Sequence, residues 1–196
     1  MQLILAPMQG LVDDVMRDLL TRIGGFDECV SEFIRITHTV HSRATWLKYV
    51  PEIAHANRTP AGTPCTVQLL GSDAENMAVN ALEAVRFGAD KIDLNFGCPA
   101  PKVTRKGGGA ALPWKKDLLA AILRETVRAC DQAARAAHRE HAVPVTVKTR
   151  IGIDEDHETF MDVARAAENA GVAAIALHGR TARQHYAGQA DWEAIA

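Results

Sequence analysis

The 196-residue sequence has few aromatic side chains, no excess of basic charge and no long hydrophobic run. Aromatic residues make up 5% of the chain, and the formal net charge is -2 at pH 7. This charge balance excludes a general polyanion-binding character, so any contact with nucleic acid must come from local patches. No hydrophobic segment approaches membrane-spanning length. The start, residues 1–7, lacks the basic region of a signal peptide.

Cysteine is also scarce, and its positions show neither a CxxC pair nor a disulfide framework. We therefore expect a reduced protein of the cytoplasm. No spacing typical of a metal site occurs either, so we expect no bound metal. Three of the four cysteines lie in apolar segments typical of a core, whereas Cys98 lies in a loop rich in glycine and proline. The other three are Cys29, Cys65 and Cys130.

The sequence does contain a regular alternation of short apolar runs with segments that have apolar residues at helical spacing. Such alternation predicts a parallel sheet with right-handed crossover helices. The predicted strands are residues 3–6, 29–34, 65–70, 91–94, 143–147 and 173–177.

Two architectures satisfy this alternation, an open doubly wound sheet and a (β/α)8 barrel. No glycine-rich dinucleotide fingerprint follows the first strand, which disfavours the open sheet. A barrel typically takes about 250 residues. We therefore predict an α/β fold, a TIM (β/α)8 barrel that is incomplete, with about six of its eight units in one domain of residues 1–196. An unclosed edge should follow the sixth strand.

Three local features are also predicted. The pattern after the second strand indicates one helix over about residues 44–55. Ser72 should cap the next helix, because Glu75 follows three residues later in a capping box. Residues 191–196 are typical of the start of a helix.

Residues 95–99, Asn-Phe-Gly-Cys-Pro, carry Cys98 from the end of the fourth strand into a loop. Gly97 and Pro99 keep that loop irregular. A thiol presented in this way can act as an acid or a nucleophile if its neighbours support it. The alternative interpretation is a small apolar residue that closes a strand end.

Polar side chains also lie at or just past the carboxyl ends of the other strands. In a parallel barrel the carboxyl ends of the strands share one mouth, where active sites lie. A polar side chain in a buried strand is costly without a partner, so their convergence favours a functional site over separate structural contacts. The residues are Pro7, Met8, Gln9, Glu32, Arg35, Gln68, Asn95, Cys98, Lys148, Arg150, His178 and Arg180.

The ordered motifs resemble those of tRNA-dihydrouridine synthases, FMN enzymes that reduce particular uridines of tRNA with NADPH. The resemblance runs from residue 3 to the end of the chain and is strongest at Asn-x-Gly-Cys-Pro. Residues 32–35, Glu-Phe-Ile-Arg, are most similar to the bacterial branch that modifies position 16 of the D-loop. The motifs lie at residues 5–8, 31–33, 68–71, 95–99, 107–110, 147–150 and 178–181.

The resemblance implies a flavin site and a proton donor. Cys98 is implied as the general acid that protonates C5 of the uracil after hydride reaches C6. Reduced flavin develops negative charge at its N1/O2 edge, which a lysine can stabilise. The residues implied in holding FMN are Pro7, Met8 and Gln9, the last through its backbone, with Gln68, Lys148 and His178.

The resemblance also implies tRNA as the partner, with contacts from Arg35, Asn95 and Tyr186. Asn95 would read the target uridine, extruded from its stack. Lys102, Arg105 and Lys106 beside the cysteine could grip the RNA backbone or form a solvated loop.

Further parts of such an enzyme are expected outside residues 1–196: the FMN-phosphate loops after strands seven and eight, and a C-terminal helical tRNA-binding domain. The full-length protein is expected to be a monomer. We expect this chain alone to bind FMN weakly and to be weak or inactive. Two other functions stay open, another FMN barrel oxidoreductase acting on a free pyrimidine and a non-catalytic RNA-binding fragment. Arg150 and Arg180 could neutralise phosphate or hold loop geometry.

Overall fold

The computed structural model describes residues 2–196. Its strands are β1 (Ile4–Leu5), β2 (Glu28–Val30), β3 (Ile34–Arg35), β4 (Cys65–Leu70), β5 (Ile92–Phe96), β6 (Val145–Arg150) and β7 (Ala174–His178). Its α-helices are α1 (Asp14–Ile23), α2 (Arg43–Tyr49), α3 (Ala74–Arg86), α4 (Pro101–Thr104), α5 (Lys116–Ala136) and α6 (Phe160–Ala170). Two 3-10 helices lie at Pro51–His55 and Gly109–Trp114. None of the helices in this described range is long and apolar enough to cross a membrane.

All strand pairs in the sheet are parallel, in the order β1-β2-β4-β5-β6-β7. β3 pairs with the carboxyl half of β4, beyond the part of β4 that pairs with β2. β2 and β3 therefore occupy one position of the sheet between them. The chain forms a parallel half-barrel, as predicted, and within residues 2–196 its edges are β1 and β7.

The two faces of the sheet differ in chemistry because side chains alternate along a strand. On β4, Val67 and Leu69 are fully buried and pack in the hydrophobic core beneath the helices. Ile92 and Leu94 of β5 do the same. The core thus lies between sheet and helices, and the concave face of the half-barrel carries polar side chains.

The second predicted strand is interrupted at residues 31–33. The Ser31 hydroxyl donates to the carbonyl of Glu32 at 3.0 Å and accepts from the backbone N–H of Gln68 at 3.0 Å. This side chain replaces part of the ladder between the two strands. The prediction of one continuous strand over residues 29–34 is therefore wrong.

The single helix predicted over residues 44–55 is also wrong. α2 ends at Tyr49, and Pro51 begins a 3-10 helix. Val50 between them has φ -137° and ψ 72°, since a residue before proline is disfavoured in the helical region.

The cap of α3 is Asp73 rather than the predicted Ser72. Its carboxylate accepts from the backbone N–H of Asn76 at 2.9 Å, where a negative charge is favoured by the helix N-terminus. The Ser72 hydroxyl donates instead to the carbonyl of Lys106 at 3.3 Å. Residues 191–196 form a single turn, in which Asp191 Oδ1 accepts from the N–H groups of Glu193 and Ala194 and the N–H of Ala196 donates to the carbonyl of Trp192 at 3.1 Å, in keeping with the predicted start of a helix.

Candidate functional site

A cavity of about 150 Å³ opens at the carboxyl ends of the strands. The residues that line it come from β4, β5, β6, β7 and the loops that follow β1, β2 and β5. The structure brings together here eight of the residues predicted at this mouth: Pro7, Gln9, Gln68, Asn95, Cys98, Lys148, Arg150 and His178. Phe33 also lines this cavity, although the sequence analysis gave it no role.

Three further predicted site residues lie around the cavity rather than in it. The Met8 side chain is exposed, and its carbonyl accepts from the N–H groups of the turn that follows. Arg35 lines a neighbouring cleft of about 320 Å³ and donates to the carbonyl of Lys102 at 3.0 Å. Tyr186 is 67% exposed, with its ring centroid 6.2 Å from that of His178.

Beneath the cavity, hydrogen bonds join neighbouring strands through side-chain amides. Asn95 Nδ2 donates to Gln68 Oε1 at 2.9 Å, and Gln68 Nε2 donates to Asp93 Oδ2 at 2.7 Å. The second carboxylate oxygen of Asp93 accepts from the Thr146 hydroxyl at 2.6 Å. Gln68, Asp93 and Thr146 are register partners across three strands, so all three project from the same face.

The same amide of Asn95 holds the loop that carries the cysteine. Its Oδ1 accepts from the backbone N–H of Gly97 at 3.0 Å and from that of Cys98 at 2.9 Å. Two backbone donors that leave the sheet are thereby satisfied. The half-buried Cys98 side chain is presented to the cavity by this arrangement.

Gly109 explains the glycine run that follows the cysteine loop. Its φ is +55°, and an added Cβ would lie 2.5 Å from the Cys98 carbonyl oxygen. Only glycine permits this approach, which places the N–H of Ala110 3.0 Å from that oxygen as a donor. The two segments therefore fix each other.

The sequence gives Asp93 no apparent role, because residues 91–94 have the pattern of an apolar run. Its position two residues before Asn95 was the available signal, since alternate residues of a strand share a face. Asp93 is 5% exposed. Burial raises the pKa of its carboxyl group, although the hydrogen bonds from Thr146 and Gln68 act to lower that pKa. The charges of Lys148 and Lys91 also act to lower it.

Lys148 brings a cation to the cavity on β6. Burial, with a further contribution from the charge of Arg150, lowers its pKa to about 8. The Asp93 carboxylate opposes this shift. The lysine is therefore a weakly compensated cation that an anionic or electron-rich group in the cavity would stabilise.

His178 at the end of β7 is held in its neutral form. Burial lowers its pKa to about 4, and the cations Arg150, Lys148 and Arg180 contribute to this shift. Its Nδ1 is buried and has no hydrogen-bond partner among the described residues. A neutral imidazole can donate from one ring nitrogen and accept at the other.

The two arginines make the contacts of one of the two roles that the sequence left open, the holding of loop geometry. Arg150 donates to the carbonyls of Gly97 at 2.9 Å, Thr181 at 3.0 Å and His185 at 2.9 Å. Arg180 donates to two successive carbonyls of the loop at residues 187–188, at 3.1 and 2.8 Å. Both guanidinium groups hold loop geometry.

Within residues 2–196, no group of three or more His, Cys, Asp or Glu side chains could hold a metal ion. The side chains that line the cavity include an amide pair, a thiol, a neutral imidazole and a lysine. Together they offer donors, an acceptor and a cation to a planar polar group, with the thiol at the edge.

Comparison with known proteins identifies relatives over the whole described range. The model of the dihydrouridine synthase family matches residues 4–196. The tRNA-dihydrouridine(16) synthase of Neisseria meningitidis serogroup A is 61% identical over 194 residues, which are 99% of this chain and 55% of that protein. The protein of the same name from Aquipseudomonas alcaligenes is 46% identical over 196 residues, which are 100% of this chain and 59% of that protein. The chain thus spans less than two thirds of the length of these relatives.

Solved structures resemble the chain in fold alone. A glycoside hydrolase family 18 N-acetylglucosaminidase from Paenibacillus barengoltzii has a TM-score of 0.58 at 16% identity, and the match covers 91% of this chain and 53% of that one. A 2,3-dimethylmalate lyase has a TM-score of 0.54 at 16% identity, with 95% and 64% covered.

Proposed function

This chain belongs to the dihydrouridine synthase family, and we propose that it forms the catalytic part of a tRNA-dihydrouridine(16) synthase. The enzyme would reduce a uridine of the tRNA D-loop to 5,6-dihydrouridine, with FMN and NADPH, in a TIM barrel completed to eight units. The observation that carries the proposal is the presentation of Cys98, through Asn95, at the mouth of the cavity that Gln68, Lys148 and His178 line.

The cavity fits FMN in its donor set. Lys148 is a cation whose pKa is lowered to about 8 by burial, and His178 has a buried ring nitrogen without a partner among the described residues. The Gln68 amide uses one donor and one acceptor position in the bonds beneath the cavity, which leaves one of each. These three side chains, with the backbone of Pro7 and Gln9, would hold the flavin ring. FMN, reduced by NADPH, would supply the hydride that reaches C6 of the uracil.

Cys98 would give the proton that C5 of the uracil requires. This role needs a thiol that stays protonated until the reaction, in contrast to a nucleophilic cysteine. The hydrogen bond from its backbone to Asn95 fixes the position of the thiol relative to the cavity. The uracil must leave its stacked position in the tRNA to reach it.

A basic rim beside the cavity supports RNA as the substrate. Arg35 lines the neighbouring cleft together with Lys106, while Lys102 in α4 and Arg105 just after that helix are exposed. These cations would bind phosphates of the tRNA backbone. Tyr186, largely exposed beside His178, would stack on a base.

Replacing Cys98 tests the assignment. In the full gene product with bound, reduced FMN, Cys98→Ala should slow reoxidation by unmodified tRNA by about 100-fold or more, the usual contribution of a general acid. Flavin binding should persist. Cys130→Ala is the matched control, because that thiol is buried within α5, and its reoxidation rate should stay near that of the parent.

Reoxidation of Cys98→Ala at the parent rate would show that another group donates the proton. Rapid reoxidation of the parent by free uracil or uridine, with none by tRNA, would instead favour a free-pyrimidine oxidoreductase. Binding of tRNA without any reoxidation would favour a non-catalytic RNA-binding role.

A further inference from the structure

We propose that Asp93 is a positioning residue that sets the amide orientation of Asn95 through Gln68, and so holds the backbone of Cys98. The geometry rests on the hydrogen bonds of this chain alone. Its consequence for catalysis rests on the function proposed above.

The groups in this series differ in whether they can donate or accept hydrogen bonds. A carboxylate only accepts hydrogen bonds, whereas a primary amide presents a donor on one side and an acceptor on the other. Asp93 therefore turns the NH₂ of Gln68 toward itself and the oxygen of Gln68 toward Asn95. Asn95 must then direct its own NH₂ to Gln68, which leaves Oδ1 facing the backbone donors of Gly97 and Cys98.

The reversed orientation would be unfavourable at the loop. It would place the NH₂ of Asn95 against two backbone N–H groups, leaving three donors without an acceptor. A buried donor without an acceptor has lost its hydrogen bonds to water and gained none in return, so it destabilises the folded state. Asn95 is 8% exposed, whereas Gly97 and Cys98 are half-buried, so solvent can replace the missing acceptor only in part.

Thr146 completes the series at its other end. Its hydroxyl donates to the second oxygen of Asp93, so both carboxylate oxygens accept, and these bonds favour the ionised form against the effect of burial. The Thr146 hydroxyl can also accept a hydrogen bond, so it could orient an uncharged amide at position 93 as it orients the carboxylate. The charge of Asp93 can therefore be removed without changing the orientation of the side chain.

The test is a double-mutant cycle of nearly isosteric variants, with hydrogen exchange of the Gly97 and Cys98 amides as the readout. In Asp93→Asn the new NH₂ can donate to the Thr146 hydroxyl, so the remaining oxygen still accepts from Gln68. In Thr146→Val the carboxylate still accepts from Gln68. We expect each single variant to exchange within about 1.5-fold of the parent, so that additive effects would give only about a twofold change in the double variant.

The double variant should behave differently, because the amide introduced at position 93 then has no hydroxyl to orient it. Its NH₂ can turn to Gln68, which reverses both amides and removes the acceptor at the loop. We expect exchange of both backbone amides to accelerate about tenfold, the effect of losing one net hydrogen bond. Combining Asp93→Asn with Thr146→Ser, which keeps a hydroxyl, should restore protection. If the double variant does not fold, Asp93→Asn with Thr146→Ala replaces it.

Three results would overturn the proposal. Loss of protection in Asp93→Asn alone would assign the effect to charge. Parent-like protection in the double variant would show that Asn95 is oriented without Asp93, and additive effects of the two changes would indicate separate structural roles. The exchange is measured without tRNA or flavin, so it can confirm this positioning role even if the parent fails to reduce tRNA, a result that would refute only the proposed function.

Discussion

The Nε of Arg150 donates to the carbonyl oxygen of Gly97 at 2.9 Å, so the last residue of β6 holds the loop that carries the neighbouring cysteine. Nη1 of the same guanidinium donates to Thr181 and His185 in the loop after β7. Arginine suits this role because its five donors lie in one rigid plane. One side chain thus joins the loops that follow two different strands.

Arg150→Lys should destabilise the protein, because a single ammonium cannot reach all three carbonyls. We expect the free energy of unfolding, measured by urea denaturation, to fall by about 2 kcal/mol. Arg183→Lys is the control, since Arg183 is 77% exposed in its ion pair with Asp154 and should change stability by less than about 0.5 kcal/mol. Equal effects of the two substitutions would contradict the structural role of Arg150.

Lys148 should titrate near pH 8. Its pKa in the folded state, about 8, lies below the ordinary value of 10.5 because of burial. The unfolded chain therefore binds more protons between these values, and this lysine makes stability rise as pH increases from about 8 to 10.5. The pKa can be measured by NMR of ¹³C-methylated lysines. Asp93→Asn should lower it further by removing a favourable charge, and an unchanged pKa in that variant would contradict the electrostatic coupling.

His178 should remain neutral down to a pH of about 4. Because this pKa lies below the ordinary value of 6.5, the unfolded chain binds the extra proton between the two, and stability should rise as pH increases through that range. His178→Asn should remove this part of the pH dependence. Lys148→Met should raise the pKa of His178, seen in the NMR shift of its ring protons, because a repelling cation is lost. A lower or unchanged value would contradict that assignment.

Residues 1–196 should bind the flavin ring without strong selection for the phosphate. The predicted phosphate loops follow the seventh and eighth strand positions of a complete barrel. β1 to β7 occupy only the first six positions, because β2 and β3 share one. FMN and riboflavin should therefore bind this chain with weak affinities within about threefold of each other, as measured by flavin fluorescence. A stoichiometric, yellow preparation, or FMN binding more than about tenfold tighter than riboflavin, would contradict this prediction.

The amino-acid sequence predicted the strand–helix alternation and the sharing of one mouth by polar side chains. Both follow from local rules, since the periodicity of apolar residues reports the element and parallel strands end on one side. Local hydrogen bonds were harder to predict. Ser31 interrupted a strand with its hydroxyl, and Asp73 replaced Ser72 as a cap, each by a choice between neighbouring polar groups.

The sequence by itself determined that Gln68, Asn95, Cys98, Lys148 and His178 would meet, because each lies in the carboxyl-terminal half of a strand of one parallel sheet or just after it. Only the tertiary structure decided how they are oriented. Asp93 lies in an apolar run of the sequence, and only the register of three strands shows that it is placed between Gln68 and Thr146. A hydrogen bond between side chains depends on distance and direction to within a few tenths of an ångström, and residues 25 or more positions apart reach that accuracy only in the folded sheet.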